Sequence, residues 1–132
     1  VPVLLGELLA VRVMIAAYRS DMPAVIELAQ QSMSLVSPDD LFLRSMIMLC
    51  WGVAYYDMSS DIAAAKSAFR DAYELGNAFI LSGALDKDPS VLVALAYLAE
   101  LEWLQGKLRD AVRTVHVVAR RAHKFLAFPS WD

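Results

Sequence analysis

The sequence has one cysteine and no run of apolar residues long enough for a membrane helix. Cys50 alone cannot form an internal disulfide, which excludes a disulfide-stapled secreted scaffold and is typical of a reducing cytoplasm. A membrane span needs about 18 or more consecutive apolar residues, and charged residues such as Glu7 and Arg12 interrupt every apolar stretch. We therefore expect a cytoplasmic protein that neither crosses a membrane nor starts with a secretory signal.

Basic residues and histidines are also scarce. Lysine and arginine total 12 against 15 acidic residues, for a net charge of −3, which argues against direct nucleic-acid binding. His116 and His123 are seven residues apart, too far to chelate a metal as a helical i, i+4 pair does. The basic run from Arg113 to Lys124 is expected to be a solvated helix face. No paired carboxylates or nucleophile–base constellation stands out, so we expect no catalytic residue, no metal and no cofactor.

Apolar residues, by contrast, are abundant and follow helical spacing. They make up 58% of the chain, and the mean hydropathy is +0.45. Their recurrence every three or four residues predicts α-helices, and strand signals are nearly absent. The fold class predicted is all-α, with helices over residues 3–18, 24–35, 39–57, 61–77, 89–104 and 108–124.

Three sequence signals predict particular helix ends. Ser37-Pro38 followed by acidic residues predicts a helix start near Asp39, with Ser37 as the cap. Asp88-Pro89 predicts the start of the fifth helix in the same way. Gly76-Asn77 predicts a left-handed stop of the fourth helix, although the apolar residues that follow could also extend it.

A polar turn followed by small apolar residues recurs along the chain. It is found at Ser20-Asp21, 40 residues later at Ser60-Asp61, and 46 residues after that at Gly106-Lys107. A spacing of this kind indicates stacked helical hairpins, each of which needs a neighbour to bury its apolar face. We predict one domain over residues 1–132, a solenoid of about three antiparallel helix hairpins with repeats at 3–36, 39–77 and 89–124.

The repeats resemble the tetratricopeptide repeat (TPR). Its pattern of small and large residues is matched most clearly at Gly52, Tyr55, Ala65, Phe69 and Ala72. The second unit has one extra residue in its turn, and the periods exceed the usual length of about 34 residues. Long periods and alanine-rich helices are more similar to the repeat region of MalT-like, LuxR-family ATP-dependent transcriptional regulators. The stretches that carry this resemblance are residues 61–65, 74–77 and 98–111.

The resemblance implies a right-handed TPR-like superhelix that lies between an ATPase domain and a DNA-binding helix-turn-helix domain. Such a module receives a small inducer or a regulatory protein and passes the signal to the flanking domains of its parent. The chain itself contains neither a Gly-rich phosphate loop nor a helix-turn-helix. ATP and DNA are therefore not expected to be its own ligands.

The first helix of each hairpin in such a stack lines the concave side, where ligands dock. Aromatic rings with scattered carboxylates on that side could hold a peptide or a sugar-like inducer, whereas ordinary packing between helices is the simpler interpretation of each residue alone. The concave-face candidates are Glu7, Met14 and Tyr18 in the first hairpin, Val53, Tyr56 and Asp57 in the second, and Tyr97, Glu100 and Trp103 in the third.

Two other functional classes stay open at this point. A small helical enzyme or cofactor-binding bundle would need buried titratable groups that converge on a pocket, and a purely structural scaffold repeat would bind no ligand. Terminal repeats without polar caps expose core-type surface. We therefore also expect self-association into a homo-oligomer through the exposed repeat ends.

Overall fold

The computed structural model describes residues 2–58, 61–83 and 89–125, and these form six α-helices with no strand among them. The predicted all-α class is confirmed. None of the helices in these ranges is long and apolar enough to cross a membrane. The helices are α1 (Pro2–Tyr18), α2 (Met22–Leu35), α3 (Leu41–Met58), α4 (Ile62–Leu81), α5 (Pro89–Leu104) and α6 (Leu108–Phe125).

Neighbouring helices pack in pairs, because only three residues separate the two helices of each hairpin. The first helices of neighbouring hairpins lie closer together than the second helices do. α3 contacts both α1 and α5, whereas within the described ranges no Cα atoms of α2 and α4, or of α4 and α6, come within 8 Å. The stack therefore bends toward α1, α3 and α5, which form its concave side. This confirms the predicted TPR-like helical solenoid.

Two aspartates 40 residues apart cap the second helices of the first two hairpins. Asp21 accepts a hydrogen bond from the backbone N–H of Ala24 at 3.4 Å, and Asp61 accepts one from Ala64 at 2.9 Å. Each satisfies a backbone donor that the first helical turn leaves free. In the first two hairpins the recurring turn is therefore a helix cap, whereas the third turn has Lys107 at the position of the aspartate.

The start of α3 differs from the prediction. The helix begins at Leu41, and its cap is Asp40, whose carboxylate accepts a hydrogen bond from the backbone N–H of Leu43 at 3.1 Å. Ser37 instead accepts from the N–H of Asp39 at 3.3 Å, in the turn before the helix. The predicted cap of the fifth helix, Asp88, lies outside the described residues.

The end of α4 follows the second of the two alternatives that the sequence left open, in which the apolar residues after Asn77 extend the helix. The helix passes through Gly76, which is buried, and continues to Leu81. The left-handed backbone conformation occurs later, at Gly83, with φ of +79°. Phe79 explains the extension, because its ring contacts that of Phe42 on α3 with centroids 5.5 Å apart. Packing of the apolar residues after Gly76 outweighs the local stop signal.

The core consists of two clusters joined through α3. One lies among α1, α2 and α3 and contains the fully buried Val13, Val25 and Ile47. The other lies among α3, α4 and α5 around Phe69. Val53 of α3 packs against both clusters. The central helix is therefore shared by two hairpin interfaces, which holds its concave-side residues in a fixed position relative to α5.

Buried serines join helices within and between hairpins. Ser32 donates a hydrogen bond to the backbone carbonyl of Gly6 at 3.1 Å, where α1 and α2 meet. Ser45 donates to the carbonyl of Ala72 at 3.0 Å, and its hydroxyl lies 2.9 Å from that of Ser90. A small residue at each of these positions allows close approach of the backbones, while the hydroxyl compensates for the desolvated carbonyl.

Candidate functional site on the concave face

The site is built on a close contact between α3 and α4. Gly52 is buried in α3, and a Cβ atom at this position would lie 2.7 Å from Cε1 of Phe69. The absence of a side chain lets the Phe69 ring lie against the α3 backbone, where it is fully buried. Tyr97 of α5 stacks on the same ring, with centroids 4.7 Å apart and planes 4° from parallel. The orientation of Tyr97 is thus determined by the core beneath it.

Tyr56 joins this stack from α3. Its ring meets that of Tyr97 edge to face at 5.4 Å, a favourable geometry for the ring quadrupoles. Its hydroxyl donates a hydrogen bond to Oε1 of Glu100 at 2.5 Å. That hydrogen bond is the main cause that raises the pKa of Tyr56 to about 12, with burial a smaller cause. We refer to Tyr56, Phe69, Tyr97 and Glu100 as the aromatic cluster.

The aromatic cluster is open to solvent on one side. Glu100 is exposed, so its carboxylate retains acceptor capacity beyond the bond from Tyr56. Asp57 follows Tyr56 and is exposed, and Trp103 lies three residues beyond Glu100 on α5 with 63% of its surface exposed. The cluster and its surroundings therefore offer aromatic faces beside two carboxylates, a chemistry suited to cationic or hydroxyl-bearing ligands.

The structure brings only some of the predicted residues together. Tyr56, Tyr97 and Glu100 are in direct contact. The three candidates on α1 are separate: Glu7 and Tyr18 are exposed and Met14 is half-buried, and within the described ranges no hydrogen bond or ring contact joins them to the aromatic cluster. The described part of the concave face has its aromatic–carboxylate chemistry concentrated between α3 and α5.

Phe69 was not among the predicted site residues, although it orders them. The repeat pattern identified Phe69 as a large residue and Gly52 as a small one, but it did not pair them. It did not show that Tyr97 would lie on its other face, because that contact joins different hairpins. The sequence therefore shows the large and small residues of α3 and α4, but it does not show where α5 lies relative to them.

A second concavity lies between α2, α3 and α4, outside the predicted set. It has a volume of about 330 Å³. Partial burial, and secondly the neighbouring Glu74, raise the pKa of Asp71 at this cleft. Arg44 is held by a hydrogen bond from Nη1 to the carbonyl of Val36 at 3.3 Å. The cleft is lined by Met33, Arg44, Met48, Asp71, Glu74, Leu75 and Ala78.

Arg121 departs from the expectation that the basic run is solvated. Its guanidinium donates a hydrogen bond to the side-chain oxygen of Asn77 at 2.7 Å and lies over the Tyr73 ring, 5.4 Å from the centroid. Both partners belong to α4, so Arg121 connects the last two hairpins. Its neighbour Arg120 is exposed, as expected. Among the described residues no three histidine, cysteine or acidic side chains are placed to bind a metal.

Comparison with known proteins agrees with this architecture. The family model described as the MalT-like TPR region matches residues 6–125, which is most of the chain. Neither the curated proteins nor the solved structures give a significant match. The family match spans all three hairpins, including the helices that carry the aromatic cluster. The chain belongs to the MalT-like TPR region family.

Proposed function

We propose that the chain is a non-catalytic sensor and protein-interaction module of a cytoplasmic transcriptional regulator. It binds a regulatory protein, a peptide segment or a small inducer on its concave face and passes this event to the flanking domains of the parent protein. Membership of the MalT-like TPR region family supports a regulatory role. The observation that carries the choice of surface is the aromatic cluster between α3 and α5.

The energetics of exposed aromatic side chains support this choice of surface. Trp103 holds a large apolar ring in water, and burying it against a ligand would recover free energy at little conformational cost. Tryptophan and tyrosine dominate binding hot spots for this reason. Tyr56 and Tyr97 are already oriented by Phe69 and by each other, so a ligand meets a preorganised surface. Glu100 and Asp57 then select for partners that carry positive charge or hydroxyl donors.

The shifted titratable groups favour a binding module over a small helical enzyme. Burial raises the pKa of Cys50 to about 11, and this thiol packs against the core cluster among α1, α2 and α3. Burial, and then the neighbouring Lys107, lower the pKa of Lys66 on α4. Asp71 lies in the cleft between α2 and α4. These groups and Tyr56 occupy separate places, whereas catalysis needs perturbed groups that converge on one substrate.

Two concave-side variants test the proposal separately. Tyr56→Ala and Trp103→Ala are each expected to weaken binding at least about tenfold, the size of a hot-spot truncation. The probes are the remaining domains of the parent regulator, expressed as a separate chain, and a panel of short oligosaccharides and basic peptides. Binding is measured by isothermal titration calorimetry, with far-UV circular dichroism to verify the helical fold of each variant.

Glu74→Gln is the matched control, because it removes an exposed carboxylate from the cleft on α4 instead of the concave side. It is expected to bind all probes as the wild type does. Unchanged binding by both concave-side variants would exclude the concave face. A loss of binding confined to Glu74→Gln would indicate that the binding site is the cleft. If the wild type bound no probe, a purely structural scaffold would be favoured.

A further inference from the structure

The first helix carries an apolar stripe that none of the described residues 2–58, 61–83 and 89–125 covers. The stripe is made of Leu4, Leu8, Val11 and Ile15, which are between 46% and 62% exposed. Their spacing of four, three and four residues places them on one helix face. Exposing contiguous large side chains is unfavourable, so a face of this kind marks an interaction surface.

The same stripe recurs 39 residues later in α3, where it is covered. Ile47 and Ala54, which correspond to Leu8 and Ile15, are fully buried in one cluster with Val25 of α2. The remaining two stripe residues of α3 pack against that cluster. In the second hairpin, therefore, this stripe is the face by which a first helix docks on the second helix of the preceding hairpin. The stripe of α3 consists of Leu43, Ile47, Cys50 and Ala54.

The last helix carries the other half of the same interface. Aligning the recurring turns makes Val115 of α6 equivalent to Ala29 of α2 and Phe69 of α4. Ala29 lies in one buried cluster with Ile47 of α3, and Phe69 stacks on Tyr97 of α5. Both are fully buried, but Val115 is 52% exposed. Leu108 and Val112 are also more than half exposed and complete a stripe on α6. We call the α1 stripe the docking face, and we call the α6 stripe of Leu108, Val112 and Val115 the acceptor face.

We propose that copies of this chain associate head to tail, with the α6 stripe of one copy seated on the α1 stripe of the next. The argument is continuity with an interface that the chain forms twice, between α2 and α3 and between α4 and α5. A third interface of the same kind between copies continues the superhelix and buries both stripes. It is heterologous, since each copy uses two different surfaces, and it leaves one free face at each end.

This geometry predicts open-ended assembly. By sedimentation equilibrium from micromolar to near-millimolar concentration, the average mass should rise above the 14.6 kDa of one chain without stopping at a dimer. Leu8→Lys blocks the docking face and Val115→Lys blocks the acceptor face, so each variant alone should remain a monomer. Both positions are exposed in the single chain, so neither lysine is buried in the monomer.

Mixing the two blocked variants gives the decisive measurement. Leu8→Lys retains the acceptor face and Val115→Lys retains the docking face, so an equimolar mixture should form a dimer of about twice the monomer mass and stop there. Gln30→Lys adds the same charge at an exposed position of α2 outside both stripes, and it should assemble as the wild type does. Circular dichroism verifies that each variant keeps its helix content.

Three outcomes would overturn the proposal. A wild-type chain that stays monomeric over the whole concentration range would show that the stripes take another helix, not a second copy. Dimerisation of Val115→Lys alone would indicate a symmetric contact between two α1 helices. Two blocked variants that remain monomers when mixed would show that the α6 and α1 stripes do not pair.

Discussion

Replacing Gly52 with alanine tests the packing that orders the aromatic cluster. The added Cβ would lie 2.7 Å from Cε1, 2.8 Å from Cδ1 and 3.1 Å from Cγ of Phe69. Carbon atoms at favourable separation are about 3.5–4.0 Å apart, so the ring would have to move. Phe69 has little room to do so, because it is fully buried and Tyr97 is stacked on it.

Two opposing terms set the magnitude. Overpacking a core by one methyl group costs about 1–3 kcal/mol, and the restricted ring places Gly52→Ala toward the upper end. Alanine in a helix interior offsets about 1 kcal/mol of this, because glycine loses more backbone entropy on folding. We expect the free energy of unfolding to fall by about 1–2 kcal/mol.

Urea denaturation followed by far-UV circular dichroism measures this change. Ala96→Gly at an exposed position in the middle of α5 calibrates the propensity difference and should lose about 0.5–1 kcal/mol. Phe69→Leu combined with Gly52→Ala should show a favourable coupling energy, because the smaller side chain removes the clash. A Gly52→Ala protein as stable as the wild type, or more stable, would refute the close-contact argument.

Three further predictions concern side chains whose surroundings the structure defines. Arg121→Ala should lower the free energy of unfolding by about 1–2 kcal/mol in urea titration, because the variant loses a charged hydrogen bond and a ring contact. The control is Arg120→Ala, which removes an exposed side chain and should change the free energy of unfolding by less than about 0.5 kcal/mol. Because burial raises the pKa of Cys50 to about 11, its reaction with a disulfide reagent at mildly alkaline pH should be on the order of 100-fold slower than in urea, and equal rates would contradict this. Glu100→Ala should lower the pKa of Tyr56 from about 12 toward its ordinary value of 10.0 in absorbance titrations of tyrosinate. The stabilisation from this pair should be present below pH 10 and lost between about pH 10 and 12. An unchanged titration in Glu100→Ala would show that the hydrogen bond to this carboxylate is not the cause.

Part of the candidate site follows from the repeat itself. Position within the first helix of each hairpin selected Tyr56, Tyr97 and Glu100, because equivalent positions of stacked repeats face the same side; the structure places these three side chains in contact. The same reasoning also selected Glu7 and Tyr18, which make no hydrogen bond or ring contact with the aromatic cluster among the described residues. Register within a repeat predicts which side a residue faces, but it does not predict which neighbours its side chain reaches.

The sequence by itself determined the all-α class, the hairpins and their stacking. These depend on local signals: apolar spacing of three and four residues, and polar turns in which Asp21 and Asp61 cap the following helix. Only the tertiary structure decided that α4 continues through Gly76 to Leu81, since a contact with α3 outweighs the local stop.

Tertiary structure also decided the partners of the functional side chains. Tyr56 and Glu100 are 44 residues apart, as are Arg121 and Asn77, so each pair forms only when one hairpin lies on the next. The relative rotation and distance of stacked hairpins are set by packing of residues such as Phe69, and no local sequence pattern encodes them. Local chemistry therefore gives the repeat, and packing between hairpins gives the site.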